Sequence, residues 1–167
     1  MPDDFAGWFR FGRLVDNQPQ ALSSWRITTQ DLSTANSIGQ FFGGIPNRWR
    51  TNSPDHFEVL TGTPMVRITL NDPHCITPEM KKWGHKGLMH HCDGSQFLSP
   101  HQKKGSYCGC PESLCERKER ARSYLGPQPS TEVSFKVSDA PSLGYFRMHS
   151  VSWRFAESAS AIRDLIN

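Results

Sequence analysis

The sequence predicts an α+β fold, a mainly antiparallel sheet with a few short helices and an embedded structural zinc site. Three observations carry this expectation. Short runs of β-branched and aromatic residues alternate with polar ones. Helical periodicity is confined to brief segments, with no regular βαβ alternation. Four of the five cysteines fall between Cys92 and Cys115, in a stretch with little apolar patterning. The predicted organisation is a single α+β domain over residues 8–167, with a zinc-binding insertion at about 85–124.

Trp8-Phe9-Arg10-Phe11-Gly12-Arg13-Leu14 and Trp25-Arg26-Ile27-Thr28-Thr29 read as two strands separated by a turn-prone stretch from Asp16 to Pro19. Asp31 offers an N-cap, Leu32, Ala35, Ile38 and Phe41/Phe42 recur at helical spacing, and Gly43-Gly44 supplies a stop. Phe57 and Val59, then Val66, Ile68 and Leu70, suggest a hairpin around Thr61-Gly62-Thr63-Pro64. From about Asn71 to Tyr107 the pattern is that of a long loop, rich in His, Gly, Pro and Lys. A loop of that length is uncommon in a compact domain unless it is functional or held by something other than an apolar core.

Pro111 is expected to open a charged surface helix running from Glu112 to about Tyr124, in which Leu114 is the main apolar residue. Val133, Phe135 and Val137 alternate with Glu132, Ser134 and Lys136 as a half-buried strand, and residues 145–148 read as its neighbour across Asp139-Ala140-Pro141. Phe155, Ala159, Ile162 and Leu165/Ile166 mark an amphipathic helix.

Composition bounds the function. The 167 residues are 36% hydrophobic, and the 13 glycines bring the apolar share to roughly 44%, just under the usual globular range of about 45–50%. A net charge of +3, from 19 basic and 16 acidic residues, does not by itself announce nucleic-acid binding. Lys81 to Lys104 is locally basic, with five lysines and four histidines around Asp93. No apolar run approaches a membrane span, and Met1-Pro2-Asp3-Asp4 is acidic where a secretory signal would be basic, so the expected location is the cytoplasm and no membrane partner is expected. Without an export signal, five cysteines favour metal ligation over a disulfide framework. The five tryptophans are core residues by default, although one or two could anchor a partner.

The informative constellation is Cys92, Cys108, Cys110 and Cys115. Zinc takes four ligands in a tetrahedron, thiolates foremost, and ligand-bearing turns need permissive backbone. Gly94 follows Cys92 by two residues, and Gly109 separates Cys108 from Cys110. Cys110, directly before Pro111, is placed to cap a helix whose amide donors and dipole would stabilise its thiolate. Cys115 is the expected fourth ligand, with His91, His90 or His85 as alternatives. A closed, cysteine-rich site implies a structural ion. Cys75 reads as a small buried hydrophobe. His90-His91 with Asp93 is a weak catalytic candidate, since HExxH, G-x-S-x-G and the P-loop are all missing.

The residues Trp25-Arg26-Ile27-Thr28-Thr29, Trp83-Gly84, His91-Cys92-Asp93-Gly94, Cys108-Gly109-Cys110-Pro111, Glu116-Arg117-Lys118, Pro129-Ser130-Thr131 and Leu143-Gly144 span residues 8–155 in a moderately specific order. In this the sequence resembles the recombination directionality factors that accompany large serine integrases in phages of actinobacteria. Relatives tend to carry a fourth cysteine just before the segment matching Pro129-Ser130-Thr131, where this chain has Pro127. The resemblance implies a non-enzymatic adaptor that binds the coiled-coil and zinc-bearing region of the integrase, reaches attachment-site DNA mainly through it, and turns integration into excision. Exposed apolar positions of the C-terminal helix, or the surface beside the zinc, are the expected contacts. The rival expectations are a zinc-containing DNA-binding protein acting on its own and a metal-dependent hydrolase or nuclease.

Overall fold

The computed structural model describes residues 4–167, and the chain forms two compact units. One comprises the residues up to Asn71 together with Val133–Met148; the other comprises Asp72–Glu132 and His149–Asn167. Of the acidic start read against an export signal, Met1-Pro2-Asp3 lies outside the described residues. The class is α+β, with strands predominating and three short α-helices among the described residues, as the pattern predicts.

In the first unit β1 (Gly7–Val15) and β2 (Gln18–Thr29) form an antiparallel hairpin. Its turn is Asp16-Asn17 alone, at φ 50° and 62°. That left-handed pair twists the way paired strands twist, and Asp and Asn tolerate it better than most residues. Polar residues 18–24 therefore belong to a strand, and β2 begins well before Trp25.

Helix α1 (Leu32–Phe42) follows its sequence signals: the Thr34 amide donates to the Asp31 carboxylate at 2.8 Å, and the helix stops at Gly43, at φ 77°. It buries Ala35, Ile38 and Phe42. The expected hairpin around residues 61–64 does not form. The Thr61 amide donates to the Trp25 carbonyl and the Gly62 amide to the Phe42 carbonyl, so the backbone of this stretch is already committed elsewhere. Strand β4 (Phe57–Leu60) pairs instead with β2 and with the short β3 (Asn47–Arg48), while β5 (Ile68–Thr69) pairs with β9 (Gln128–Val137). Strand β10 (Tyr145–Ser150) lies between β1 and β9 and runs parallel to β1, with Phe9 opposite Met148.

The core of this unit is aromatic and aliphatic. Phe9 meets Phe135 and Phe146 edge-on, with centroids 5.0 and 5.4 Å apart, and Ile27, Val59 and Val137 are fully buried around them.

In the second unit the stretch expected to be a loop is an antiparallel meander, β6 (Ile76–Gly84), β7 (Gly87–Cys92) and β8 (Phe97–Ser99). Its strands are built from Lys, His and Met more than from β-branched residues, which hides the period-two signal. Helix α2 (Leu114–Arg122) starts later than Pro111 suggests, because the Ser113 hydroxyl is the cap that accepts from the Glu116 amide. It buries no residue, in keeping with a surface helix. Helix α3 (Trp153–Leu165), capped by Ser152, packs on β6. Among the described residues no helix is long and apolar enough to cross a membrane.

Candidate metal centre

Strand periodicity places the first two donors. In β7 the side chains of His90 and Cys92 are two residues apart and point to one face, while His91 between them points to the other. There the two nitrogens of His91 meet the Ser99 hydroxyl at 2.7 Å and the Glu79 carboxylate at 2.9 Å. The imidazole favoured as the reserve ligand is thus engaged on the wrong side of the sheet.

A second arm brings the other two donors. The Cys108 amide donates to the Ser95 carbonyl, and Gln96 bridges to Tyr107, which lays the 105–110 segment beside β8. Gly109, at φ 76°, then reverses the chain so that Cys108 and Cys110 turn inward together. The first arm turns through Asp93-Gly94. The Asp93 carboxylate accepts from the Ser95 and Gln96 amides, both at 2.8 Å, and Gly94 sits at φ 100°. Burial raises the Asp93 pKa, but those two amide donors outweigh it and leave the carboxyl below its ordinary range.

The result is one group of four donors, His90, Cys92, Cys108 and Cys110, with ligand atoms all within 4.8 Å of one another. The three cysteines are buried, and Phe97 packs against the His90 ring in a tilted arrangement with centroids 4.8 Å apart. Cys92 Sγ lies 3.7 Å from Cys110 Sγ, and the latter lies 3.8 Å from His90 Nε2. A disulfide would need about 2.05 Å. By contrast, a tetrahedral ion with metal–sulfur bonds of about 2.3 Å has an S···S edge of about 3.8 Å. The Cys92–Cys110 separation matches such an edge and not a disulfide, and the group could hold a metal ion.

The electrostatics agree. Burial, and then the neighbouring Cys110 and Cys108 thiols, push the Cys92 thiol well above the ordinary range against a hydrogen bond from the Gly94 amide. Burial and the Cys108 side chain push Cys110 up as well. Such thiols stay neutral unless a cation supplies the opposing charge, and a coordinated ion deprotonates them. Burial, with Lys82, Lys103 and Arg120 close by, lowers the His90 pKa and keeps the ring in the neutral form that ligates.

Cys115 does not join the group; it is exposed on α2. Because that helix begins at Leu114 and not at Glu112, Cys110 does not occupy a cap position, and the capping argument for its thiolate falls with it. His85 is exposed near the tip of the β6–β7 hairpin. Cys75 is buried apart from the group, as a small hydrophobe would be.

A Gp3-like family model, described as recombination directionality factor-like, matches residues 6–167. The chain belongs to this family. No solved structure matches it. The family supports a recombination directionality factor role, suggests a non-catalytic accessory protein, and implies interaction with a phage integrase.

One supporting residue of this directionality factor-like chain escaped the sequence reading. Arg117 of α2 donates from Nη2 to the Gly94 carbonyl at 3.0 Å and from Nε to the Pro111 carbonyl, tying together the two turns that carry the cysteines. A Cβ on Gly94 would meet the guanidinium at 2.8 Å, so this glycine is required for approach as well as for its φ.

Proposed function

We propose that the chain is a recombination directionality factor that binds a phage large serine integrase and moves it from integration to excision. The observation that carries the reading is the family match over residues 6–167, which assigns the role to essentially the whole chain. Acting in the cytoplasm of the bacterial host, the factor forms and breaks no bond. It binds one arrangement of the integrase's coiled-coil and zinc-bearing region better than another, and reaches attachment-site DNA mainly through that protein. A preference of about 3 kcal/mol moves such an equilibrium by roughly a hundredfold.

In this reading His90, Cys92, Cys108 and Cys110 hold zinc, whose preference for thiolate and imidazole in a tetrahedron suits this donor set. The ion is structural, supplying folding free energy and rigidity. Four protein donors leave no open position for substrate, and the cavity of about 220 Å³ beside them is lined by no carboxylate that could serve as a base.

The test is an in vitro recombination assay with purified integrase, scored in both directions with and without the chain. Excision rising and integration falling is the expected result, together with co-migration of the two proteins on gel filtration in the absence of DNA. Unchanged recombination in both directions would overturn the reading. A metal other than zinc in the purified protein would overturn the assignment of the ion.

A further inference from the structure

We propose that the β6–β7 hairpin is the docking element of this chain, and that it fits an apolar surface with an acidic rim on the integrase. The inference rests on the integrase reading above and names the surface that would carry it.

Large apolar side chains crowd this hairpin without being covered. Trp83 and Met89 are each 63% exposed and Leu88 is 40% exposed. Trp83 and Leu88 are directly paired across the strands, so they share a face. Met89 lies on the opposite face, its thioether over the bare backbone of Gly84, where a Cβ would fall 2.3 Å from the sulfur, so the anchor face is Trp83 with Leu88. An exposed Trp flanked by an aliphatic side chain is the kind of residue that anchors a protein interface when buried by a partner.

The charge on the same segment says what the partner looks like. From Lys81 to Met89 there are three lysines and no acid. The nearest acid in β6, Glu79, is engaged by Lys81 at 3.0 Å and by His91 at 2.9 Å. A second copy of this chain would bring lysines against lysines, which disfavours self-association through this element. DNA phosphates would answer the lysines but would gain little from burying Leu88. An apolar protein surface rimmed by Asp and Glu satisfies both features. The base of the hairpin carries His90 and Cys92, so the metal centre fixes the root of the element that projects the anchors.

The test uses the full chain with its metal and the purified cognate large serine integrase, with affinity measured by biolayer interferometry. Three variants are compared with the unmodified chain: the double variant Trp83→Ala/Leu88→Ala, Lys86→Glu at the exposed turn, and Leu14→Ala on β1, an exposed position away from the hairpin, as a control. We expect the double variant to weaken binding by at least about tenfold, with metal content unchanged. Lys86→Glu should weaken it less and more so at low salt, and the control should bind as the unmodified chain does. If the unmodified chain binds integrase and both hairpin variants bind it within twofold as well, the hairpin is not the docking element. If the unmodified chain fails to bind integrase at all, the functional reading itself is overturned. Loss of affinity for naked attachment-site duplex, with integrase binding intact, would overturn the proposal by making the hairpin a nucleic-acid contact.

Discussion

The two units of this molecule are held together by different chemistry. Among the described residues the first buries eleven apolar side chains, none of them a cysteine, with Phe9, Phe135 and Phe146 packed edge to face at its centre. The second buries seven, of which four are cysteines and one is Ala159. A cluster of Met80, Cys92, Cys108 and Cys110, with Phe97 and Trp153 against it, is too small to order a unit of this size by apolar burial alone. The lesson is that where apolar burial is thin, the sheet poor in β-branched residues gathers a group of donors that could hold a metal ion.

The largest expected effect breaks the second unit and spares the first. Cys110→Ser, or removal of the ion with a strong chelator, should abolish metal binding and with it most amide hydrogen-exchange protection in β6, β7 and β8. Structural zinc contributes about 10–16 kcal/mol of apparent binding free energy in small domains. Protection in β1, β2 and α1 should persist. The pH dependence has a fixed sign: because burial raises the Cys92 and Cys110 thiols, the ion must displace their protons, so metal affinity falls as pH falls. Hydrogen exchange followed by mass spectrometry checks the first point, and release of the ion to a chromogenic chelator the second. Equal loss of protection in both units would remove the contrast.

The reciprocal change targets the aromatic core. Phe135→Ala should cost about 3–5 kcal/mol of stability, as deletion of a fully buried ring does. Metal stoichiometry at saturating ion should be unchanged. Denaturant titration of the metal-loaded protein measures the first quantity and elemental analysis the second.

A smaller effect separates ligands from the residue that supports them. Arg117→Ala removes the donors to the Gly94 and Pro111 carbonyls without touching a ligand atom. Metal affinity should drop by about 10–100-fold, as for other residues that orient ligands from behind. Competition with a chelator of known affinity reads it, and an unchanged affinity would make Arg117 a spectator.

How legible this was in the sequence follows the same division. Helix α1 was readable because its cap, periodicity and stop are local signals, and the strand at Val133, Phe135 and Val137 because burial on one face imposes alternation. The extent of β2 was hidden, since the turn rests on two left-handed residues that a polar stretch does not advertise. The stretch from Asn71 to Tyr107 was read as a loop because its strands gain little from apolar burial and so lack the pattern that burial writes. Cys92, Cys108 and Cys110 were named as a converging set and the structure brings them together, but the residue it places beside them is His90 and not Cys115, a placement that strand alternation decides. With β7 recognised as a strand, His90 and Cys92 share a face and His91 is excluded. Arg117 was visible only as part of the Glu116-Arg117-Lys118 match, and its role was hidden because it holds two carbonyls that only the fold brings together.

The smallest expected effect decides between those two views of the fourth donor. Cys115 is exposed on a helix that buries nothing, so Cys115→Ser should leave stability within about 0.5 kcal/mol, the usual range for surface positions, and metal affinity unaltered. His90→Ala opens one corner of the tetrahedron and should weaken the metal far more, while the exposed Cys115 thiol is too far outside the group to replace it. The pair of variants, compared by chelator competition, therefore carries opposite expectations for the two residues. A loss of metal on Cys115→Ser with retention on His90→Ala would mean that α2 swings inward to supply its sulfur, and that the organisation of the second unit by the β7 strand is wrong.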